Sequence, residues 1–134
     1  MTEDLVYHSM ELVAECPGDI SATIYEKYFA RCPESEALMS YLDDLTRGRM
    51  MEEVYRLFMI DNYVQEEAYL NWEVKNHQVA YSVKPHMYAN LFDAIVETIR
   101  EALGEHWNTD FERAWQKRTN ALLVEIHQRF AEHH

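Results

Sequence analysis

The sequence predicts an all-α fold, and three observations carry that prediction. Only three glycines and three prolines punctuate 134 residues, too few for the turns of a many-stranded sheet. Apolar side chains recur at three- and four-residue intervals over most of the chain, the period of a helix with one buried face. Apolar residues make up 48% of the sequence, which fits a packed core and excludes a disordered tail. A chain of this length removes about two-thirds of its unfolded surface on folding, so residues 1–134 are expected to form a single domain.

A first helical pattern runs from Leu5 to Ala14 and stops at the breaker Cys16-Pro17-Gly18. Asp19 is placed to cap a second helix that carries Ile20, Ile24 and Tyr28, with Tyr25 and Phe29 on an adjoining face. Cys32-Pro33 ends it, because proline disfavours the helical region for the residue before it. Pro33 suits the first turn of a short third helix with Leu38, Met39 and Leu42 as apolar positions. Asp43-Asp44 and Gly48 read as a loose polar link, followed by a helix bearing Met50, Val54, Leu57 and Phe58. Asp61-Asn62 is a break before the next helix. Pro85 opens a long helix with Met87, Leu91, Ile95, Val96, Ile99 and Leu103 inward, closed by Gly104. Thr109 and Glu112 have capping-box spacing at the start of the last helix, which continues through Ala114, Trp115, Leu122, Ile126 and Phe130. Trp115 is expected to serve packing alone.

Charge narrows the function. Twenty-four acidic against twelve basic side chains give a formal charge of −12, with no basic stripe, so nucleic acid and anionic membranes are not expected partners. No apolar run approaches the roughly 18–20 residues of a membrane span. The acidic start Met1-Thr2-Glu3-Asp4 lacks the features of a signal peptide, which implies a cytoplasmic protein with Cys16 and Cys32 reduced. There is no HExxH, no CxxC, no glycine-rich phosphate loop and no pair of ExxH helices. No nucleophile and base stand at a recognisable spacing, so side-chain catalysis ranks last. His133 and His134 offer at most an adventitious metal site.

One histidine stands out. Leu70, Val74, His77 and Tyr81 fall on one stripe of a helix, placing an imidazole in the middle of an apolar face. Such a ring must find a hydrogen-bond partner, water or a metal. Glu73 lies four residues before it, a pairing common on any helix.

At this point the order of segments resembles a family. Tyr25-Glu26-Lys27-Tyr28-Phe29-Ala30-Arg31-Cys32-Pro33-Glu34 looks like the second-helix stretch of bacterial globins of the three-over-three type, which include single-domain haemoglobins and the haem domain of flavohaemoglobins. Asn76-His77, followed by Tyr81-Ser82-Val83-Lys84-Pro85-His86-Met87-Tyr88, is similar to their proximal histidine and the run into the next long helix. Leu103-Gly104, Trp107, Thr109 and Ala114-Trp115 match the junction into the last helix.

The resemblance implies a globin fold, about six to eight helices around a haem pocket. It makes His77 the metal ligand of haem b, held without covalent attachment because CxxCH is absent. The cofactor contacts it implies are His77, Tyr25, Met39, Met50, Val54, Phe58, Val74, Tyr81, Val83, Tyr88 and Leu91. Tyr25 would donate a hydrogen bond to the bound ligand, and Tyr88 would orient the proximal imidazole. Met39 stands where the family usually has phenylalanine. Met50 stands at the distal position often held by His or Gln, with Arg49 or Met51 as alternatives one residue away. The run from His77 to Pro85 is one residue longer than in flavohaemoglobins, and their final-helix acidic residue has no counterpart.

The expected function is reversible binding of a small diatomic gas (oxygen, nitric oxide or carbon monoxide) by a monomer or homodimer. Storage, sensing and redox detoxification share that site. Two alternatives differ in class. A haem-free globin-fold sensor or interaction domain would use His77 as a core residue and fill the slot with side chains. An all-α scaffold would assemble through Trp72 and Tyr69 facing outward.

Overall fold

Pro33 and Pro85 each open a helix at its first turn, and their neighbours Cys32 and Lys84 are pushed out of helical geometry. That punctuation divides the chain into α1 (Leu5–Ala14), α2 (Ile20–Arg31), α3 (Pro33–Met39), α4 (Asp44–Phe58), α5 (Glu67–Tyr81), α6 (Pro85–Leu103) and α7 (Thr109–Glu132). A 3-10 turn over Gly104–His106 joins the last two. The computed structural model describes residues 4–16, 18, 20–60, 65–81 and 83–132, excepting the side chains of 78–81 and 131–132. The described residues contain no strand, and none of their helices is long and apolar enough to cross a membrane. The all-α expectation holds.

Helix starts follow local side-chain chemistry. Asp4 accepts the Tyr7 amide at 3.2 Å and caps α1; Asp43 accepts the Thr46 amide at 2.8 Å and caps α4. The polar link expected at Asp43-Asp44 and Gly48 is therefore a helix start, and Gly48 lies inside α4. One glycine costs the helix about 1 kcal/mol, which the buried face outweighs. The last helix also begins differently from expectation. Asn108 caps it by accepting the Phe111 amide at 2.9 Å. Glu112 turns outward instead, to Trp107 Nε1 at 2.9 Å and Arg100 at 3.0 Å. Gly104 has φ 51°, a left-handed conformation suited to glycine, and stops α6 as expected. The Asp19 cap and the Asp61-Asn62 break lie outside the described residues.

Helices α2 and α6 pack most extensively on each other, and α7 packs on α1, α4, α5 and α6. Phe58 sits at the centre, edge-on to Phe92 at 4.9 Å and to Trp115 at 5.1 Å. Trp115 does more than pack. Its Nε1–H donates to Ser9 Oγ at 2.8 Å, and Ser9 in turn donates to the Val6 carbonyl at 2.7 Å. Arg118 reaches from α7 to the α1 cap, Asp4, at 3.1 Å. Lys27 of α2 binds Glu97 at 3.1 Å and Glu101 at 3.0 Å on α6, and Arg31 joins Glu97. Cys16 and Cys32 are both free thiols, as expected.

Candidate functional site

The apolar stripes of α4 and α5 do not meet along their whole length. Between them, closed by α2, α3 and α6, is a cavity of about 460 Å³. That is within the range of roughly 300–1,000 Å³ typical of small-molecule and cofactor sites. Met39, Met50, Val54, Val83, Met87 and Leu91 supply apolar wall, while Tyr41 and Trp72, 69% and 59% exposed, stand where it meets solvent.

His77 is the only histidine among the described lining residues. Its Nδ1 lies 2.8 Å from the Glu73 carbonyl oxygen one helical turn back, and 3.0 Å from Glu73 Oε1. A carbonyl oxygen only accepts, so Nδ1 carries the proton, and Nε2 is the nitrogen that bears the lone pair whenever the ring is neutral. Helix geometry favours this arrangement, since residues i−4 and i lie one above the other on the same face. Glu73 is 6% exposed; burial raises its pKa, and the neighbouring His77 opposes that rise. The ring of Tyr88 meets His77 edge-on at 6.3 Å from α6. Its buried hydroxyl has no hydrogen-bond partner among the described residues, and burial pushes its pKa upward.

On the opposite side Tyr25 lines the cavity, but its hydroxyl donates to the Arg47 carbonyl at 2.7 Å. A phenol has one proton, so donation to a bound ligand requires breaking that bond. In this structure the hydroxyl braces α2 against α4. Tyr28 accepts from Ser35 Oγ at 2.7 Å, and burial pushes its hydroxyl to about 12. Near the mouth Tyr69 donates to Glu53 at 2.6 Å, while the Arg56 guanidinium lies 4.3 Å over the Tyr69 ring.

Eight of the expected contacts thus line one cavity: His77, Tyr25, Met39, Met50, Val54, Val83, Tyr88 and Leu91. Two others are elsewhere. Phe58 is fully buried against Phe92 and Trp115, and Val74, 1% exposed, is in the core without reaching the wall. Both sit on the correct helix but one step around it, because the buried arc of each helix is wider than the cavity. The Tyr81 side chain, like His133 and His134, lies outside the described residues. Of the three distal alternatives, Met50 lines the cavity, Met51 is fully buried in the core, and Arg49 is exposed.

Sequence reasoning passed over Glu53 and Arg56, set Glu73 aside as a common pairing, and turned Tyr69 outward, whereas Tyr69 lines the cavity and binds Glu53. Glu53 shares the α4 face of Met50 and Val54 by spacing, Arg56 lies one turn beyond Glu53 at the edge of that face, and Glu73 to His77 is an i,i+4 step.

Comparison with known proteins decides the family. The Globin family model matches residues 22–126, most of the chain. The chain belongs to the globin family. It is also 24% identical over 135 residues to Leghemoglobin-1 of Vicia faba, covering 92% of this chain and 93% of that protein. Globins bind haem and small gaseous ligands. The residues of this globin suit such a group. An imidazole of the required tautomer faces a cavity of cofactor size, and the surrounding wall is mainly apolar.

Proposed function

We propose that this globin binds one haem b through His77 and uses it to hold a small diatomic gas reversibly. The observation that carries the reading is the 2.8 Å contact from His77 Nδ1 to the Glu73 carbonyl. It fixes the ring orientation and presents Nε2 as the ligand atom. When bound, the haem supplies a ferrous centre able to take up oxygen, nitric oxide or carbon monoxide.

The chain's own residues do the rest. His77 donates electron density, and Glu73 holds the ring by a second oxygen 3.0 Å from Nδ1. Met39, Met50, Val54 and Leu91 keep water from the ligand side. Arg56, beside Glu53 and Tyr69 near the mouth, is the cation available to acidic groups at a cofactor's edge. The cavity of about 460 Å³ favours this over a haem-free interaction domain, whose slot would be filled by side chains. We assign the chain to the bacterial three-over-three type on Pro33-Glu34, Tyr25 and Tyr88. A cytoplasmic monomer or homodimer with one domain over 1–134 accompanies that assignment.

The test is a visible spectrum of the protein with one equivalent of haem, beside His77→Ala. The expected result is a sharp Soret band that shifts on reduction and with carbon monoxide, lost in the variant while helix content stays. An unchanged band in His77→Ala would overturn the ligand assignment.

A further inference from the structure

We propose that Cys32, Glu34 and His86 form a binding site for a divalent metal of zinc type, outside the haem cavity. Two helix starts bring the donors together. Pro33 ends α2 and leaves Cys32 at the α2–α3 corner, 3% exposed, with Glu34 in the first turn of α3. Pro85 begins α6 and places His86 beside that corner, fifty-two residues further along the chain.

The thiol sulfur, a Glu34 carboxylate oxygen and an imidazole nitrogen all lie within 4.8 Å of one another. Cys32 Sγ is 3.7 Å from Glu34 Oε1, and the same oxygen contacts His86 Nε2. Zinc bonds of about 2.3 Å to sulfur and 2.0–2.2 Å to nitrogen or oxygen place tetrahedral donors about 3.3–3.8 Å apart. The observed spacing needs only small rotations, and Glu34 and His86, about half exposed, are free of core packing that would resist them.

The donor set is chemically apt. Sulfur, imidazole and carboxylate are the three zinc ligand types, and a fourth position is left for water. A thiolate and a carboxylate neutralise the dication, so the neutral imidazole adds affinity without excess charge. Ser35 Oγ lies 3.1 Å from Cys32 Sγ, and its single proton, given to Tyr28 here, can turn to a ligand thiolate as an outer-shell contact. The sulfur makes no capping bond to α3, so coordination would not cost the helix its cap. Lys84 lies close enough to influence Glu34 and is the cation that a metal must displace or tolerate. Ser35 also binds Tyr28, and both line the cavity, so an ion here would pin α3 to α6 behind the cavity wall.

The experiment is a Zn²⁺ titration of the full chain against a chromophoric chelator, in a background with His133 and His134 changed to alanine. The expected result is one Zn²⁺ per chain. His86→Ala and Cys32→Ser should each weaken it by at least about tenfold, since loss of outer-shell partners alone costs about 10–100-fold. His86 is exposed, so His86→Ala leaves the fold intact and keeps the test sound if the buried Cys32 variant folds poorly. Co²⁺ in place of Zn²⁺ should give thiolate-to-metal absorption that Cys32→Ser abolishes. Zn²⁺ binding unchanged in His86→Ala, or no thiolate absorption with Co²⁺, would overturn the site. His77→Ala should retain it, which separates this outcome from the haem reading.

Discussion

Replacing Ser9 by alanine tests whether the core of this globin depends on a polar contact as well as on packing. Ser9 Oγ is the acceptor for Trp115 Nε1–H at 2.8 Å, and both residues are fully buried. The substitution removes one oxygen and opens no cavity large enough for water, so the indole N–H is left unsatisfied. That costs about 1–3 kcal/mol, of which the better helix propensity of alanine in α1 offsets about 0.5. The net loss is therefore on the order of 0.5–2.5 kcal/mol. With an unfolding entropy of about 2.1 cal/mol/K per residue, the whole chain changes by about 0.28 kcal/mol/K, so Tm should fall by about 2–9 °C. The assay is thermal unfolding followed by circular dichroism, with haem occupancy held equal between variants. A second arm isolates the hydrogen bond. In a Trp115→Phe background the donor is gone, so Ser9→Ala should then be neutral or slightly stabilising. An unchanged Tm for the single variant, or the same loss in both backgrounds, would refute the assignment.

Three further outcomes follow from the site and the surface. Tyr25→Phe should lower stability by about 1 kcal/mol through the lost Arg47 bond, and leave the ligand dissociation rate within about twofold. An acceleration beyond tenfold in stopped-flow kinetics would show that the hydroxyl turns to the ligand. Glu73→Leu should speed haem transfer to an acceptor protein by about tenfold, because the second acceptor for His77 Nδ1 is lost; an unchanged rate would mean that the backbone carbonyl alone positions the ring. For Glu97, hydrogen bonds from Lys27 and Arg31 hold the folded pKa below the ordinary carboxylate value of 4.5. Its stabilising contribution is then fully present above that value and lost as pH falls through the lower folded value. The Tm difference between wild type and Glu97→Gln should be small at pH 7, shrink with salt, and vanish in acid. A difference that grows on acidification would contradict the pairing.

The helices themselves were readable because their determinants are local. A 3.6-residue period, a proline at a first turn and Gly104 after a last turn each act within a few residues. The same holds for His77, whose stripe and whose partner at i−4 are both consequences of one helix. Local rules failed where two side chains compete for one role. Thr109 and Glu112 had the spacing of a capping box, yet Asn108 took the cap and Glu112 was drawn to Trp107 and Arg100 across the 3-10 turn.

The sequence by itself determined the fold class, the apolar faces of the helices and the candidate ligand. Tertiary structure alone decided which part of each buried face meets a cavity. Phe58 and Leu57 are neighbours on α4, yet Leu57 lines the cavity while Phe58 fills the core between Phe92 and Trp115. It also decided the pairings of Ser9 with Trp115, Tyr25 with Arg47, and Cys32 and Glu34 with His86. The physical reason is that periodicity specifies direction around a helix axis, whereas a hydrogen bond or a metal ligand needs two atoms placed to within about half an ångström. That placement depends on how helices distant in sequence cross, and no local pattern encodes it.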